Sequence, residues 1–482
     1  IYINGQLFHE GVNTAALFED WTVAAIGSNH IGDKNLAGVV DDFAVFASAL
    51  SEDQIVQLAG GTKPDELEKP TGGGGTTEPA VVSISSGSGS FPSEDFGSGE
   101  VEVSASGGAE WTAKSDSSWI TVTGGTGGID SFETHKITTS ADGASSVYTA
   151  DVDGDGDMDV LSSSMDDDTI AWYENDGNEN FNTHKITTSA DNAHSAHAVD
   201  VDGDGDMDML SASHYIDTIA WHENDGSENF TIHKITTSAD GAISVKAADV
   251  DGDGDMDVLS ASHDNGTIAW YENDGSENFT AHPITTSADS AQSVYAADVD
   301  WDGDMDVLSA SWSDDTVAWY ENDGSENFTT HKITTSADGA HFVYAADVDG
   351  DGDMDVLSAS HDNDTVAWYE NDGSEYFTSH VITSSANGAH SVYAADVDGD
   401  GDMDVLSASW SDDTIAWYEN DGSENFTTHK ITTSADGARS VYAADVDGDG
   451  DMDVLSASKY DDTIAWYENK SSSRTGDGVV KY

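Results

Sequence analysis

The residues best placed to do chemistry are seven aspartate-rich stretches built alike. The first reads Asp151-Val152-Asp153-Gly154-Asp155-Gly156-Asp157-Met158-Asp159. Its first Asp returns at Asp200, Asp249, Asp298, Asp347, Asp396 and Asp445, a step of 49 residues from 151 to 200 and at each return after it. Carboxylates at alternate positions of a tight turn converge on one point, and Ca²⁺, a hard cation, takes six to eight oxygens. The sixth-position Gly supplies the bend, and the seventh residue can add a backbone carbonyl. Four carboxylates held that close repel by roughly 4 kcal/mol per pair at an effective dielectric near 20. Without a cation such a loop should splay.

The candidate metal ligands are Asp151, Asp153, Asp155, Asp157 and Asp159; Asp200, Asp202, Asp204, Asp206 and Asp208; Asp249, Asp251, Asp253, Asp255 and Asp257; and Asp298, Asp300, Asp302, Asp304 and Asp306. The last three copies supply Asp347, Asp349, Asp351, Asp353 and Asp355; Asp396, Asp398, Asp400, Asp402 and Asp404; and Asp445, Asp447, Asp449, Asp451 and Asp453. About seven Ca²⁺ ions are expected. An EF-hand would need a bidentate Glu at position 12 and flanking helices. Position 12 is Ser (Ser162, Ser211, Ser260 and their equivalents), and the flanks, Val-Tyr-Ala-Ala before and Val-Leu-Ser-Ala-Ser after, carry strand patterning. The loop is therefore the turn of a β-hairpin.

A chain of 482 residues has room for two to four domains. A net charge of −79 and a pI near 4.1 exclude nucleic acid and anionic membrane surfaces as partners. That much acidic surface suits a salty exterior, where screening is strong, and calcium availability favours a secreted or cell-surface location. Cysteine is absent, so disulfides and thiolate chemistry do not arise. No apolar run approaches a membrane span, so no membrane insertion is expected. Opening on Ile1 without Met and closing at Tyr482, the chain reads as an internal, monomeric piece of a longer protein.

Residues 1–61 carry an Asn-Gly hairpin within Ile1–Phe8, strands around Val23–Ile26 and Phe43–Phe46, and a capping box, Ser51-Glu52-Asp53-Gln54, opening a short helix that Gly60 ends. Tyr2-Ile3-Asn4-Gly5, Ala25-Ile26-Gly27, Leu36–Phe43 and Ala49-Leu50-Ser51 resemble the C-terminal part of a laminin-G-like, concanavalin-like jelly roll. Residues 62–78 form a Gly-rich linker. Within 79–128, the run Glu110–Val122 resembles the BACON family of immunoglobulin-like modules, with Trp111 and Trp119 read as core. That likeness stops about halfway through such a module. The tail, 471–482, has the look of a returning strand, as though the repeats were inserted into the module.

Each unit of 129–470 runs Phe-x-x-His-x-Ile, Thr-Ser-Ala-Asp-Gly-Ala, Val-Tyr-Ala-Ala-Asp, the aspartate loop, Val-Leu-Ser-Ala-Ser, then Thr-Ile-Ala-Trp-Tyr-Glu-Asn-Asp-Gly. Four strands in one repeat are the signature of a propeller blade. The unit resembles the FG-GAP/VCBS repeat family, known from the integrin α head and several lectins. The expected fold class is all-β, a seven-bladed propeller of four-stranded blades, with partial β-sandwich modules before it. Phe132–Ile137 precedes every aspartate loop, so it should complete the last blade and leave no exposed edge. Trp301 stands where the other copies have Gly154 and its equivalents. The invariant columns, Trp172 to Trp466 and His135 to His429, read as blade core or blade–blade contact.

Strand alternation puts the aspartate loops and the Asn-Asp-Gly turns on one face, and the 2–3 and 4–1 loops on the other. The copies differ mostly there. After Ser-Ala-Ser come Met165, His214, His263, Trp312, His361, Trp410 and Lys459. Before the inner strand come Ser145, His194, Ile243, Gln292, His341, His390 and Arg439. Towards the channel come Tyr148, His197, Lys246, Tyr295, Tyr344, Tyr393 and Tyr442. Rings beside Asp-Asp or Asp-Asn pairs suit sugars, the ring for a pyranose face and the carboxylates for its hydroxyls. The ligand-face candidates are His214, His263, Trp312, His361 and Trp410. No nucleophile elbow, phosphate loop or zinc helix is present, and acid pairs are so common here that they do not point to an acid–base site, which needs two contrasting environments. The sequence thus points away from an enzyme, towards a calcium-stabilised binding or adhesion region for a glycan or cell-surface protein. The alternatives are a carrier region of a carbohydrate-active enzyme, or a spacer.

Overall fold

The computed structural model describes residues 132–470 apart from 375, together with the backbone of short strands outside that span. The chain divides into two units, Asp130–Ser473 and Ile1–Ile129 with Arg474–Tyr482.

The larger unit is a ring of seven four-stranded antiparallel sheets. In the first blade Ala144–Ala150 is innermost, followed outward by Asp159–Ser164, Thr169–Asn175 and Phe181–Thr187. The second strand is buried along its whole length in every blade. Its Val-Leu pair fills the core while small Ser and Ala let neighbouring blades approach. The buried Ser162 hydroxyl is satisfied by the Tyr173 hydroxyl at 3.0 Å. Each apolar cluster joins two consecutive blades: Val299, Leu308 and Trp319 of the fourth pack with Val343, Val356 and Tyr369 of the fifth. The core therefore lies between blades.

All seven Trp of the invariant column are at most 1% exposed. The invariant His lies one strand further out, opposite that Trp in register, as Trp172 is to His184. The two rings stack at 4.4–4.7 Å, and His Nε2 meets the carboxylate of the Trp-Tyr-Glu motif at 2.7–2.9 Å, as His184 meets Glu174. Strand Phe132–Thr138 pairs with Thr463–Asn469, placing His135 opposite Trp466, so the first strand of the array completes its last blade.

In the smaller unit Tyr2–Ile3 pairs with Gln6–Leu7, and Ala44–Phe46 with Val81–Ser83. Trp111–Thr112 pairs with Thr126–Gly127, and Gly478–Lys481 lies between Glu100–Val103 and Thr121–Val122. The expected strand at Val23–Ile26, the helix after Ser51, the linker and the side chains of Trp111 and Trp119 lie outside the described residues. Among the described residues no helix is long and apolar enough to cross a membrane.

Candidate functional site

Each aspartate loop is wound by its own carboxylates. The first-position Asp accepts a hydrogen bond from the sixth-position Gly N–H, as Asp151 does from Gly156 at 3.1 Å. The third accepts from the fifth residue (Asp155 N to Asp153, 3.1 Å), and the fifth from the seventh (Asp157 N to Asp155, 2.9 Å). The ninth-position Asp159 is fully buried and accepts from Val152 N at 2.9 Å and from Asn175 N at 2.8 Å. Burial pushes the ninth-position carboxyls up to between about 6 and about 8, against the pull of these backbone donors. The turn needs left-handed backbone at Gly154 (φ 74°) and Gly156 (φ 99°). Asp157 lies against Gly177 of the Asn-Asp-Gly turn, where a Cβ would fall 2.4 Å from its Oδ2.

Carboxylate oxygens of Asp151, Asp153 and Asp159 lie within 4.8 Å of one another, as do those of Asp200, Asp202 and Asp204 and of Asp249, Asp251 and Asp257. The deciding detail is the other oxygen of the first Asp. Oδ1 of Asp151, Asp249, Asp298, Asp396 and Asp445 is buried with no hydrogen-bond donor. In the other two copies Asp200 and Asp347 turn it to Gly203 N and Gly350 N, both at 2.8 Å. Buried anionic oxygens left without a donor are strongly unfavourable. An all-oxygen donor set with unspent lone pairs fits a hard divalent cation.

Asn175 ties neighbouring loops together. Its Nδ2 donates to Met158 O of its own loop and to Val446 O of the neighbouring blade's loop, at 3.2 and 3.0 Å. Asn224, Asn273, Asn322, Asn371, Asn420 and Asn469 repeat that inter-blade bond at 2.8–3.2 Å, closing the circuit.

On the opposite face the ligand-face candidates fall into two arcs. His214 lies 5.4 Å from His194 and 6.0 Å from His263, ring to ring. Trp312 packs on His361 at 4.8 Å and His341 at 5.6 Å; Trp410 packs on His390 at 5.6 Å and on Tyr460 of the next blade at 4.9 Å. Neither Trp stands free: both are half-buried, leaning on the following blade. The well-exposed aromatic rings of this face are Tyr215 (69%) and Tyr460 (61%), which sequence reasoning passed over. The signal was available, since each stands where the other copies carry Asp or Ser.

The Asp-Asp pairs have other duties than sugar hydroxyls. The second Asp binds the next blade's turn, as Asp315 takes Gly339 N at 3.1 Å and Asp413 takes Gly437 N at 3.0 Å. The first forms an ion pair with an outer-strand Lys: Asp167–Lys185 (3.1 Å), Asp461–Lys136 (3.5 Å), Asp314–Lys332 (3.6 Å) and Asp412–Lys430 (3.8 Å). Where Asn replaces that Asp, at Asn265 and Asn363, the Lys is also gone, replaced by Pro283 and Val381.

Deeper in the channel, the rings of Tyr295, Tyr344, Tyr393, Tyr442 and Tyr148 follow one another at 4.6–4.8 Å. Burial raises each phenol above its ordinary value. Lys246 reaches across to Tyr148, 5.6 Å from its ring centre.

The FG-GAP-like repeat pattern matches six overlapping stretches: 151–211, 200–260, 249–309, 302–358, 347–407 and 396–456. A viral BACON domain pattern matches 81–160. No curated protein sequence matches the chain. Among solved structures, a streptogramin B lyase is similar at 12% identity and TM-score 0.51, over 70% of this chain and 97% of that one. BBS1N in complex with ARL6DN is similar at 11% and 0.51, over 71% and 96%. An Agrocybe aegerita lectin described as recognising non-reducing terminal N-acetylglucosamine is similar at 17% and 0.46, over 72% and 88%. At these identities the likeness shows the fold alone.

Proposed function

The chain belongs to the FG-GAP-like repeat family, and from that premise we propose that it is a non-catalytic, calcium-stabilised binding propeller that acts outside cells. Its aspartate loops hold Ca²⁺ on one face, and its opposite face takes a glycan or a cell-surface protein. The observation that carries the binding assignment is where the blades differ. Seven near-identical units share core, register and aspartate loops, and depart from one another mainly in the ring-bearing loops of one face. Loops on a rigid scaffold are where recognition is placed. The exposed Tyr215 and Tyr460 are large apolar groups held in water, an arrangement that suits contact with a partner. The calcium assignment rests on the donor-less buried oxygens of the first-position Asp.

The test is binding to immobilised glycans and to cell surfaces, by the wild type and by Trp312→Ala with Trp410→Ala. Binding should weaken in the double variant while calcium-dependent melting stays nearly unchanged. Wild-type binding in the double variant, or no binding to any glycan or cell by the parent protein, would overturn the assignment.

A further inference from the structure

The chain has 94 acidic residues against 15 Lys and Arg, so an unpaired cation is conspicuous. On the second face of the last blade two stand together. Arg439 Nε is buried with no hydrogen-bond partner, and its Nη1 faces the Met165 sulfur rather than an oxygen. Its guanidinium lies 5.2 Å from the Trp410 ring centre, and Lys459 Nζ lies 5.7 Å from the same ring. Among the described residues neither makes an ion pair with a carboxylate. Arg439 senses Asp166 and Tyr460 only through longer-range attraction. Around them the channel mouth carries imidazoles, His390 stacked on Trp410 at 5.6 Å and His341 against His390 at 3.5 Å.

A guanidinium is a planar fork matched to two oxygens, and burying it without them is unfavourable. Trp410 lies against the guanidinium, and Arg439 as a residue is half-buried although its Nε is fully covered. Burial lowers its pKa to about 10, so it stays charged near neutrality. Beside it Tyr460 is 61% exposed, with its ring laid over Gly437, where a Cβ would fall 2.6 Å from Tyr460 Cδ2. Only glycine leaves room for the ring in that position. An anion fork and a pinned, exposed ring thus stand side by side.

We propose that Arg439, Lys459 and Tyr460 form a subsite for a carboxylate-bearing sugar of the uronate type, the carboxylate on the Arg439 fork and the pyranose face on Tyr460. This rests on the glycan reading above and narrows it to an acidic residue.

Calorimetry on the whole chain in saturating calcium, with methyl β-glucuronide against methyl β-glucoside, tests it. These two probes differ at the carboxylate. The glucuronide should bind at least about tenfold more tightly, a difference of about 1.4 kcal/mol. Arg439→Gln should erase that preference, Arg439→Lys should retain part of it, and Tyr460→Ala should weaken both sugars. Equal binding of the two glycosides overturns the subsite and leaves a neutral-glycan reading standing. Binding of acetate or sulfate as tight as the glucuronide reduces it to a bare anion site and also overturns it. Binding of neither glycoside overturns the subsite together with the glycan reading. Unchanged calcium-dependent melting of Arg439→Gln separates lost recognition from lost fold.

Discussion

On one face of the ring the sixth residue of every aspartate loop is glycine, held at φ 97–101° in all seven copies. On the other, the residue after the Ser-Ala-Ser strand is Met165, His214, His263, Trp312, His361, Trp410 or Lys459. The same two strands make both ends of the hairpin, so strand propensity cannot explain the contrast. The first face is bound by chemistry inside each loop, where the carboxylates at positions one, three, five and nine already wind their own turn. The second is held by contacts outside the turn itself, a carboxylate on the next blade's turn or on a Lys of its own blade's outer strand, and that leaves its ring positions free. Repetition marks where a local geometric demand exists, and variation marks where it stops.

The largest way to test that contrast is to withhold the calcium proposed for the aspartate loops. Each site saturated at a hundred times its Kd stabilises by about 2.7 kcal/mol, and the Asn bridges join the loops in a circuit. Chelator should therefore lower the melting temperature in scanning calorimetry far more than any single second-face substitution. Identical melting with and without chelator would remove the reason for the first face's uniformity.

Next comes the pair Trp319→Ala and Trp312→Ala, seven residues apart in one blade. Trp319 is fully buried, so its loss should destabilise by about 3–5 kcal/mol. Trp312 is half-buried at a loop tip, and its loss should stay under about 1.5 kcal/mol. Comparable urea midpoints for the two would mean the second face is built for stability after all.

Acid offers a third test. Burial holds His222 down to about 4 and His341 to about 3, with His233 adding to the first and Arg439 and His361 to the second. Unfolded histidine takes its proton near 6.5. The native protein refuses it, so stability is full above about 6.5 and is lost as pH falls from there towards 4. Each such group contributes up to about 1.4 kcal/mol per pH unit. His222 replaces the Tyr found in the other copies and bonds Ser211 at 2.9 Å. His222→Tyr should flatten the fall of the urea midpoint between pH 6.5 and 4.5 in saturating calcium, and an unchanged slope would refute this account.

The smallest effect sharpens the first face. Trp301 occupies a left-handed position, φ 61°, where the other six copies have glycine, and it is 60% exposed. Trp301→Gly should stabilise by about 0.5–1 kcal/mol in denaturant titration. Destabilisation would show that the indole has a partner of its own.

Much of this was legible in the residues because each rule was stated seven times. The hairpin reading of the aspartate loop, the four strands per unit and the closing strand at Phe132 follow from spacing and alternation, and the ring has that form. What spacing could not show was direction. Nothing in Ser-Asp-Asp says that its first carboxylate turns outward to Lys332 and its second to the next blade's Gly339, because both partners lie across a blade or a junction. Nor does a lone Trp after Ser-Ala-Ser reveal that it leans on His361 rather than standing in water. One signal within the blade was present in the residues, since the Asp and the Lys are both lost at Asn265 with Pro283 and at Asn363 with Val381, although Lys234 remains where Ile216 replaces the Asp.

The closing strand has a mechanical consequence. Phe132 lies opposite Asn469, so the chain enters and leaves the ring at one end of one antiparallel pair. Tension between the two flanks would open that pair bond by bond, like a zip, the weakest way to load a sheet. Outside the ring, however, Gly478–Lys481 is paired with Glu100–Val103. A pull on sequence beyond that second pair must part it before the load reaches Phe132. The outer pair acts as a latch in series with the ring, and a single-molecule pull should release it first, before any blade gives way.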